Sequence, residues 1–161
     1  MSDIRIRDVI EADLPILCEQ QLDPDATRMA AFPSREPEAF MAHWRVKVLG
    51  DARNRKQTIL FDGQVAGHIV SFVQGERRLI GYWLGKEYWG RGIATRALSE
   101  FLLQETHRPL FAQVAKHNVA SIRVLEKCGF THVGAEPPAT GAEVEELTML
   151  LTGKPQDDST R

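Results

Sequence analysis

Apolar and charged residues alternate over Ile4-Arg5-Ile6-Arg7, the pattern of a strand that buries one face. Asp13 then opens a short helical pattern ending near Leu22, with Pro15 where a helix start tolerates it. Asp23-Pro24-Asp25 breaks that pattern, and the stretch through Phe32-Pro33 reads as an ordered loop. Its large side chains, Arg28, Met29 and Phe32, either cap the core or line a pocket. Ser34 is a fair N-cap for the next helix, with Glu36 and Glu38 in a first turn that favours acids. Phe40, Trp44 and Val48 follow at i, i+4 and i+8, beside Met41, until Gly50-Asp51 stops the run. His43 on that helix reads as a surface or packed residue rather than a catalytic one.

From there the period changes from helical to strand-like. Thr58 to Phe61 and Val65 to Val73 form strands joined through Asp62-Gly63, a strong hairpin signal. Gln74-Gly75-Glu76-Arg77-Arg78 turns the chain into a third strand, Leu79-Ile80-Gly81-Tyr82-Trp83-Leu84. Leu110 to Val114 is the next strand, and Asn118 caps a helix from Val119 to Cys128 that Gly129 terminates ahead of Phe130. Thr131 to Val133 and Val144 to Leu151 make a last strand pair around a Pro137-Pro138 loop. The expected organisation is one domain over residues 1–152, with a polar flexible tail over 153–161.

The stretch that matters most is Tyr88-Trp89-Gly90-Arg91-Gly92-Ile93-Ala94-Thr95. A strand precedes it, and apolar positions at Ala94, Leu98, Phe101 and Leu102, with Leu103 beside them, follow at helical spacing. Glycines 90 and 92 let an anion come close to the backbone. The first helical turn offers unpaired N–H groups and the positive end of the helix dipole. Strand, glycine turn and helix together make a site for phosphate or pyrophosphate.

Composition narrows the partners. The chain has 161 residues, 43% hydrophobic and 26% charged, with net charge −2, which opposes disorder and a whole-protein footprint for nucleic acid. No apolar run approaches the roughly 18–20 residues of a membrane span. Met1-Ser2-Asp3-Ile4-Arg5 does not begin a signal sequence, so a cytoplasmic location is expected. Cys18 and Cys128 have no metal-ligand spacing and read as buried thiols; no metal is expected.

Two motifs in order carry a family resemblance. Trp89-Gly90-Arg91-Gly92-Ile93-Ala94 stands in the frame of a Gln/Arg-x-x-Gly-x-Gly/Ala loop. Asn118-Val119-Ala120-Ser121, followed by Glu126-Lys127-Cys128-Gly129-Phe130, matches an Asn-x-x-Ser/Ala helix that ends in Glu-Lys-x-Gly-Phe. From Ile59 to Phe130 the chain thus resembles the GNAT superfamily of acetyl-CoA-dependent N-acetyltransferases. Trp89 in place of Gln/Arg, with Gly-Tyr-Trp-Leu upstream, looks like the branch that holds the ribosomal-protein N-terminal acetyltransferases. The resemblance implies a mixed α/β (α+β) GNAT fold: a twisted, mostly antiparallel sheet of six to seven strands flanked by about four helices.

It also implies direct transfer of an acetyl group from acetyl-CoA to an amine, either a small molecule or a protein N-terminus. The amides of Arg91, Gly92, Ile93, Ala94 and Thr95 would hold the pyrophosphate. The strand end Tyr82-Trp83-Leu84 would pair its backbone with the pantetheine arm, beside strands splayed to admit the acetyl group. Asn118 would cap its helix, bond the pantetheine, or both. Where many GNAT enzymes have a tyrosine acid this chain has Leu125, and where the branch often has an acidic residue it has Leu79. Ser121 is therefore the candidate acid, and Glu76, His117 and His68 are the candidate bases, with His68 also readable as a packed strand residue. A water relay without a single base is equally open, and a homodimer is a further expectation. Two other classes compete. One is an acyl-CoA-binding sensor or interaction domain without catalysis. The other is a Rossmann-type nucleotide domain, which Thr95 and the antiparallel strands before the loop oppose.

Overall fold

The computed structural model describes residues 3–31, 34–136 and 145–153. Phe32, Pro33, the Pro137-Pro138 loop, Val144 and residues 154–161 of the tail lie outside them. A seven-stranded sheet organises the chain, in the order β1-β2-β3-β4-β5-β7-β6. Its members are β1 (Ile4–Asp8), β2 (Arg55–Phe61), β3 (Gln64–Gln74), β4 (Arg77–Leu84), β5 (Leu110–Ala115), β6 (Thr131–Glu136) and β7 (Glu146–Leu151). Every neighbouring pair is antiparallel except β4 and β5. The β2–β3 hairpin turns at Asp62 (φ 51°) and Gly63 (φ 83°), both left-handed, as a two-residue hairpin with the sheet's twist requires.

Alternation along the strands feeds two cores. On one face Ile59, Ile69, Ile80 and Leu84 pack against α4 (Ile93–Gln104) and α5 (Val119–Lys127). On the other, Val70 packs against Leu14, Leu17 and Cys18 of α1 (Leu14–Gln21), Phe40 of α3 (Pro37–His43), and Trp44 just beyond it. Helix α4 buries Ile93, Ala97, Leu98, Phe101 and Leu102, whereas Leu103, counted with the apolar run, is 57% exposed.

Three local expectations change, each for a backbone reason. The segment read as a loop after Leu22 contains α2 (Pro24–Ala30). Proline at the first helical position confines Asp23 to extended backbone, and the Asp23 carboxylate accepts from the N–H groups of Asp25 and Ala26. The dipeptide that stops α1 therefore starts another helix. In the same way α3 starts at Pro37 with Glu36 at its cap, not Ser34, because the proline holds Glu36 extended (ψ 149°). Beyond His43 the helix widens into one π turn, Trp44–Val48, closed by the Leu49 N–H on the Trp44 carbonyl at 2.7 Å.

Two buried carboxylates pin the layers. Asp13, 3% exposed, accepts from both Arg7 guanidinium nitrogens, the Thr58 hydroxyl and the Ile10 N–H, joining β1, β2 and the start of α1. Glu105, just past α4, accepts from Ser71 on β3 and from the His107 N–H and ring.

Candidate active site

Strands β4 and β5 pair at one register position, Leu79 with Phe111, and then diverge. The edge of β4 facing β5 is thus without a paired strand from Ile80 to Leu84. This is the splay that the resemblance implies. Into its mouth runs the turn that follows β4. A 3₁₀ turn, Lys86–Tyr88, leads to Trp89, whose indole N–H donates to the Leu84 carbonyl at 2.9 Å and folds the loop back onto the strand end. Gly90 (φ 75°) and Gly92 (φ 76°) then adopt left-handed backbone that an L side chain resists. The first backbone bond of α4 runs from the Arg96 N–H to the Gly92 carbonyl at 3.2 Å. The N–H groups of Ile93, Ala94 and Thr95 lie ahead of it, directed out of the helix end.

Across the splay, Asn118 caps α5, its Oδ1 accepting from the Ser121 N–H at 3.2 Å. Among the described residues its Nδ2 donors have no acceptor. The Ser121 hydroxyl and the Tyr82 hydroxyl are 2.8 Å apart, bridging α5 and β4. Burial pushes the Tyr82 phenol up to about 12 although the Ser121 hydrogen bond pulls the other way. Together these groups line a cleft of about 430 Å³. Trp83, Leu84, Gly90, Gly92, Ile93, Ala94 and Thr95 form one wall, Asn118, Ala120, Ser121, Arg123, Val124 and Lys127 the other.

Helix α2 crosses the cleft at one end through Ala26, Met29 and Ala30. Asp25 pairs with Lys86 beside β4, and on the opposite side the His117 Nε2–H donates to the Arg28 carbonyl at 3.0 Å. Of the two readings left open for Met29, pocket lining is therefore the one its placement fits.

The remaining candidates are spread out. Arg91 presents its amide to the turn, but its guanidinium lies 5.5 Å over the Phe61 ring and is absent from the cleft lining. Glu76 sits exposed in the β3–β4 turn, at the far end of β4. Six residues of extended chain separate it from Tyr82, about 20 Å at roughly 3.3 Å per residue. It is not brought to the cleft, and the expectation of Glu76 as base is corrected on that ground. His117 is exposed, and its ring is engaged by α2 rather than directed into the cleft. His68 lies opposite Trp83 on β3 and packs edge-on to Trp44 at 4.8 Å, against the helix layer away from Ser121. Burial lowers its pKa to about 4, so it is neutral at physiological pH. Leu79 and Leu125, where family relatives carry acid and tyrosine, are 5% and 3% exposed and belong to the packed interior.

The Tyr82 hydroxyl and the Arg123 and Lys127 side chains are polar lining groups to which the sequence reading gave no role. Tyr82 was legible only as part of a strand, since nothing local says it meets a residue 39 positions later. Arg123 and Lys127 did carry a signal: i, i+4 cations on the helix that Asn118 caps. Cys18 and Cys128 are both unpaired thiols. Among the described residues there is no group of three or more His, Cys, Asp or Glu side chains placed to hold a metal, and no helix long and apolar enough to cross a membrane.

A splayed mixed sheet, with an open strand edge meeting a glycine turn and a helix N-terminus, is the arrangement that the GNAT resemblance implies. The family description "Acetyltransferase (GNAT) domain" matches residues 3–131, and the chain belongs to that family. No curated protein matches. Among solved structures it is similar to the ribosomal L7/L12 α-N-protein acetyltransferase RimL in complex with coenzyme A. The identity is 19%, over 92% of this chain and 93% of that one, with a TM-score of 0.77. It is equally similar to the aminoglycoside acetyltransferase AAC(6')-Ib in complex with coenzyme A: 20% identity, 99% and 100% coverage, TM-score 0.76. A GNAT-family acetyltransferase from Bacillus anthracis gives 20%, 92% and 94%, and 0.75.

Proposed function

We propose that this protein moves an acetyl group from acetyl-CoA directly to a primary amine, borne by a small molecule or a protein N-terminus. The observation that carries the reading is the continuity of one cleft. The open β4 edge, the amides ahead of α4 and the Asn118–Ser121 turn all face the same 430 Å³ space. A Cβ at Gly90 or Gly92 would meet no protein atom within 4 Å, so the turn has room for a bulky anion. Acetyl-CoA supplies the activated thioester.

The chain's own groups then do the rest. The N–H groups from Arg91 to Thr95 hold the pyrophosphate, as an anion at a helix start is held. Arg123 and Lys127 add positive charge from the facing wall. The backbone of Trp83 and Leu84 pairs with the extended pantetheine arm as an added strand would. Asn118 keeps its cap through Oδ1 and offers Nδ2 to the arm. Ser121 donates the proton that the departing sulfur requires. An N-terminal amine, with a pKa near 7.7–8.0, is partly neutral without a dedicated base, so the distance of Glu76 from the cleft does not bar the reaction. The similarity to RimL and to AAC(6')-Ib is even, and so supports either acceptor class.

The test is release of free CoA thiol over a panel of N-terminal peptides, polyamines and aminoglycosides. Turnover on a member of that panel supports the proposal. The second reading, an acyl-CoA sensor, draws on Leu79 and Leu125 standing where relatives keep proton-transfer groups. It predicts acetyl-CoA binding with no thiol release from any amine.

A further inference from the structure

We propose that Tyr82 is the ultimate proton source for the leaving sulfur, passing its proton through Ser121. The inference rests on the proposed transferase reading and goes beyond it, since that reading needs only a hydroxyl at Ser121. Its basis is the 2.8 Å contact between the two hydroxyls, both in the cleft, one from β4 and the other from the first turn of α5.

A serine alone is a poor acid for a thiolate. Giving up its proton leaves an alkoxide, which is far more basic than the thiolate it protonates. A phenol narrows that gap: even with burial pushing Tyr82 up to about 12, its anion is far less basic than an alkoxide, though still more basic than the anion of a thiol that ionises near 8.5. As the carbon–sulfur bond breaks, the Ser121 O–H proton goes to sulfur, and the Tyr82 O–H proton goes to Ser121 Oγ. The serine ends as it began, neutral, and the negative charge that left the sulfur rests on Tyr82 as phenolate. The acceptor nitrogen sheds its extra proton to solvent, and solvent returns one to Tyr82, which closes the cycle without any other reagent. Burial favours the protonated phenol, so Tyr82 holds its proton throughout the neutral range and has it to give. The Ser121 backbone is held by its N–H on Asn118, and its hydroxyl is oriented by the contact with Tyr82. Tyr82 acts through Ser121 and is a positioning and proton-supplying residue, not one that touches the acetyl group.

The test uses the full chain with Tyr82→Phe, Ser121→Ala and the double variant. Tyr82→Phe keeps the ring and its packing, so melting temperature and calorimetric affinity for CoA should stay at wild-type values. Turnover with saturating amine should fall about tenfold or more while the KM for acetyl-CoA moves less than about twofold, the signature of an interaction made only in the transition state. The double variant should be no slower than Ser121→Ala, because two groups in one relay fail as a unit. A readout apart from activity is the ionisation of the thiol of bound CoA, followed by thiolate absorbance. The paired hydroxyls polarise one another toward sulfur, so in Tyr82→Phe that ionisation should move up by about half a unit or more.

Tyr82→Phe turnover within twofold of wild type, or a double variant whose losses multiply, would overturn the relay while leaving the transferase reading intact. Parallel loss of stability, CoA affinity and rate would also overturn it, by assigning Tyr82 to packing. Wild-type protein that binds acetyl-CoA but acetylates no amine would overturn both.

Discussion

Gly92→Asp should separate cofactor binding from folding. Gly92 sits at φ 76°, ψ 7° at the cap of α4, and a Cβ there meets nothing within 4 Å. The side chain therefore fits, and the folding cost is that of left-handed backbone, about 1 kcal/mol for a residue that tolerates it as aspartate does. A carboxylate at a helix N-terminus returns roughly 0.3–1 kcal/mol through the dipole. The two nearly cancel, and the melting temperature should move by no more than about 2–4 °C.

Binding has no such cancellation. A pyrophosphate on the same amides would lie about 5 Å from the new carboxylate. At that distance each pair of unit charges repels by about 0.8 kcal/mol in bulk water and about 3 kcal/mol at an effective dielectric of 20. With two negative charges on the pyrophosphate and a cleft open to solvent, the penalty is about 2–4 kcal/mol, or roughly 30- to 1,000-fold in Kd. Calorimetric titration with acetyl-CoA reads it directly. Gly92→Asn, equally tolerant of the backbone but uncharged, should lose far less, and added salt should narrow the gap between the two variants. A Gly92→Asp protein that melts like wild type and binds acetyl-CoA within about threefold of it would refute the cradle.

Two further perturbations address how the fold supports the cleft. Burial alone would raise the Asp13 pKa, but hydrogen bonds from Arg7, Thr58 and Ile10 and the Arg7 charge hold it below the ordinary value. Its stabilisation is thus fully present above the unfolded carboxylate pKa of about 4 and is lost as pH falls through the lower folded value. Asp13→Asn should cost about 2–3 kcal/mol at neutral pH, and thermal melts should show its deficit against wild type shrinking below about pH 4; a deficit that is the same at pH 3 and pH 7 would contradict this. A Cβ at Gly67 would fall 2.1 Å from the Trp83 carbonyl and 3.0 Å from the Leu84 Cα, so Gly67→Ala must push the end of β4. It should cost about 1–3 kcal/mol in chemical denaturation and weaken acetyl-CoA binding in the same variant, whereas intact affinity would show that the β4 end is not part of the site.

How far the sequence reached depended on how local each signal was. The hairpin at Asp62-Gly63, the Asn118 cap and the Gly129 stop each follow from a few adjacent residues, and each is in place, with Gly129 at φ 100°. The glycine turn before α4 is legible because spacing alone carries it, and both glycines take left-handed backbone there. Asp23-Pro24 was misread because a proline that ends one helix is also a favourable first residue of the next. Residues that act at a distance were harder. Glu76 adjoins β4 in sequence, yet an extended strand carries it to the wrong end. Tyr82 looked like one more strand residue until the splay of β4 and β5 brought α5 across to it. His68 sits in a strand pattern, and its half-buried ring packs against Trp44.

Calorimetric titration of the wild-type chain with acetyl-CoA, with NADH and ATP as controls, tests the central claim most directly. Micromolar binding of acetyl-CoA, absent for both controls, is the predicted result. Absence of acetyl-CoA binding would contradict the transferase and the sensor readings alike, and would leave the Gly90–Gly92 turn as a structural loop.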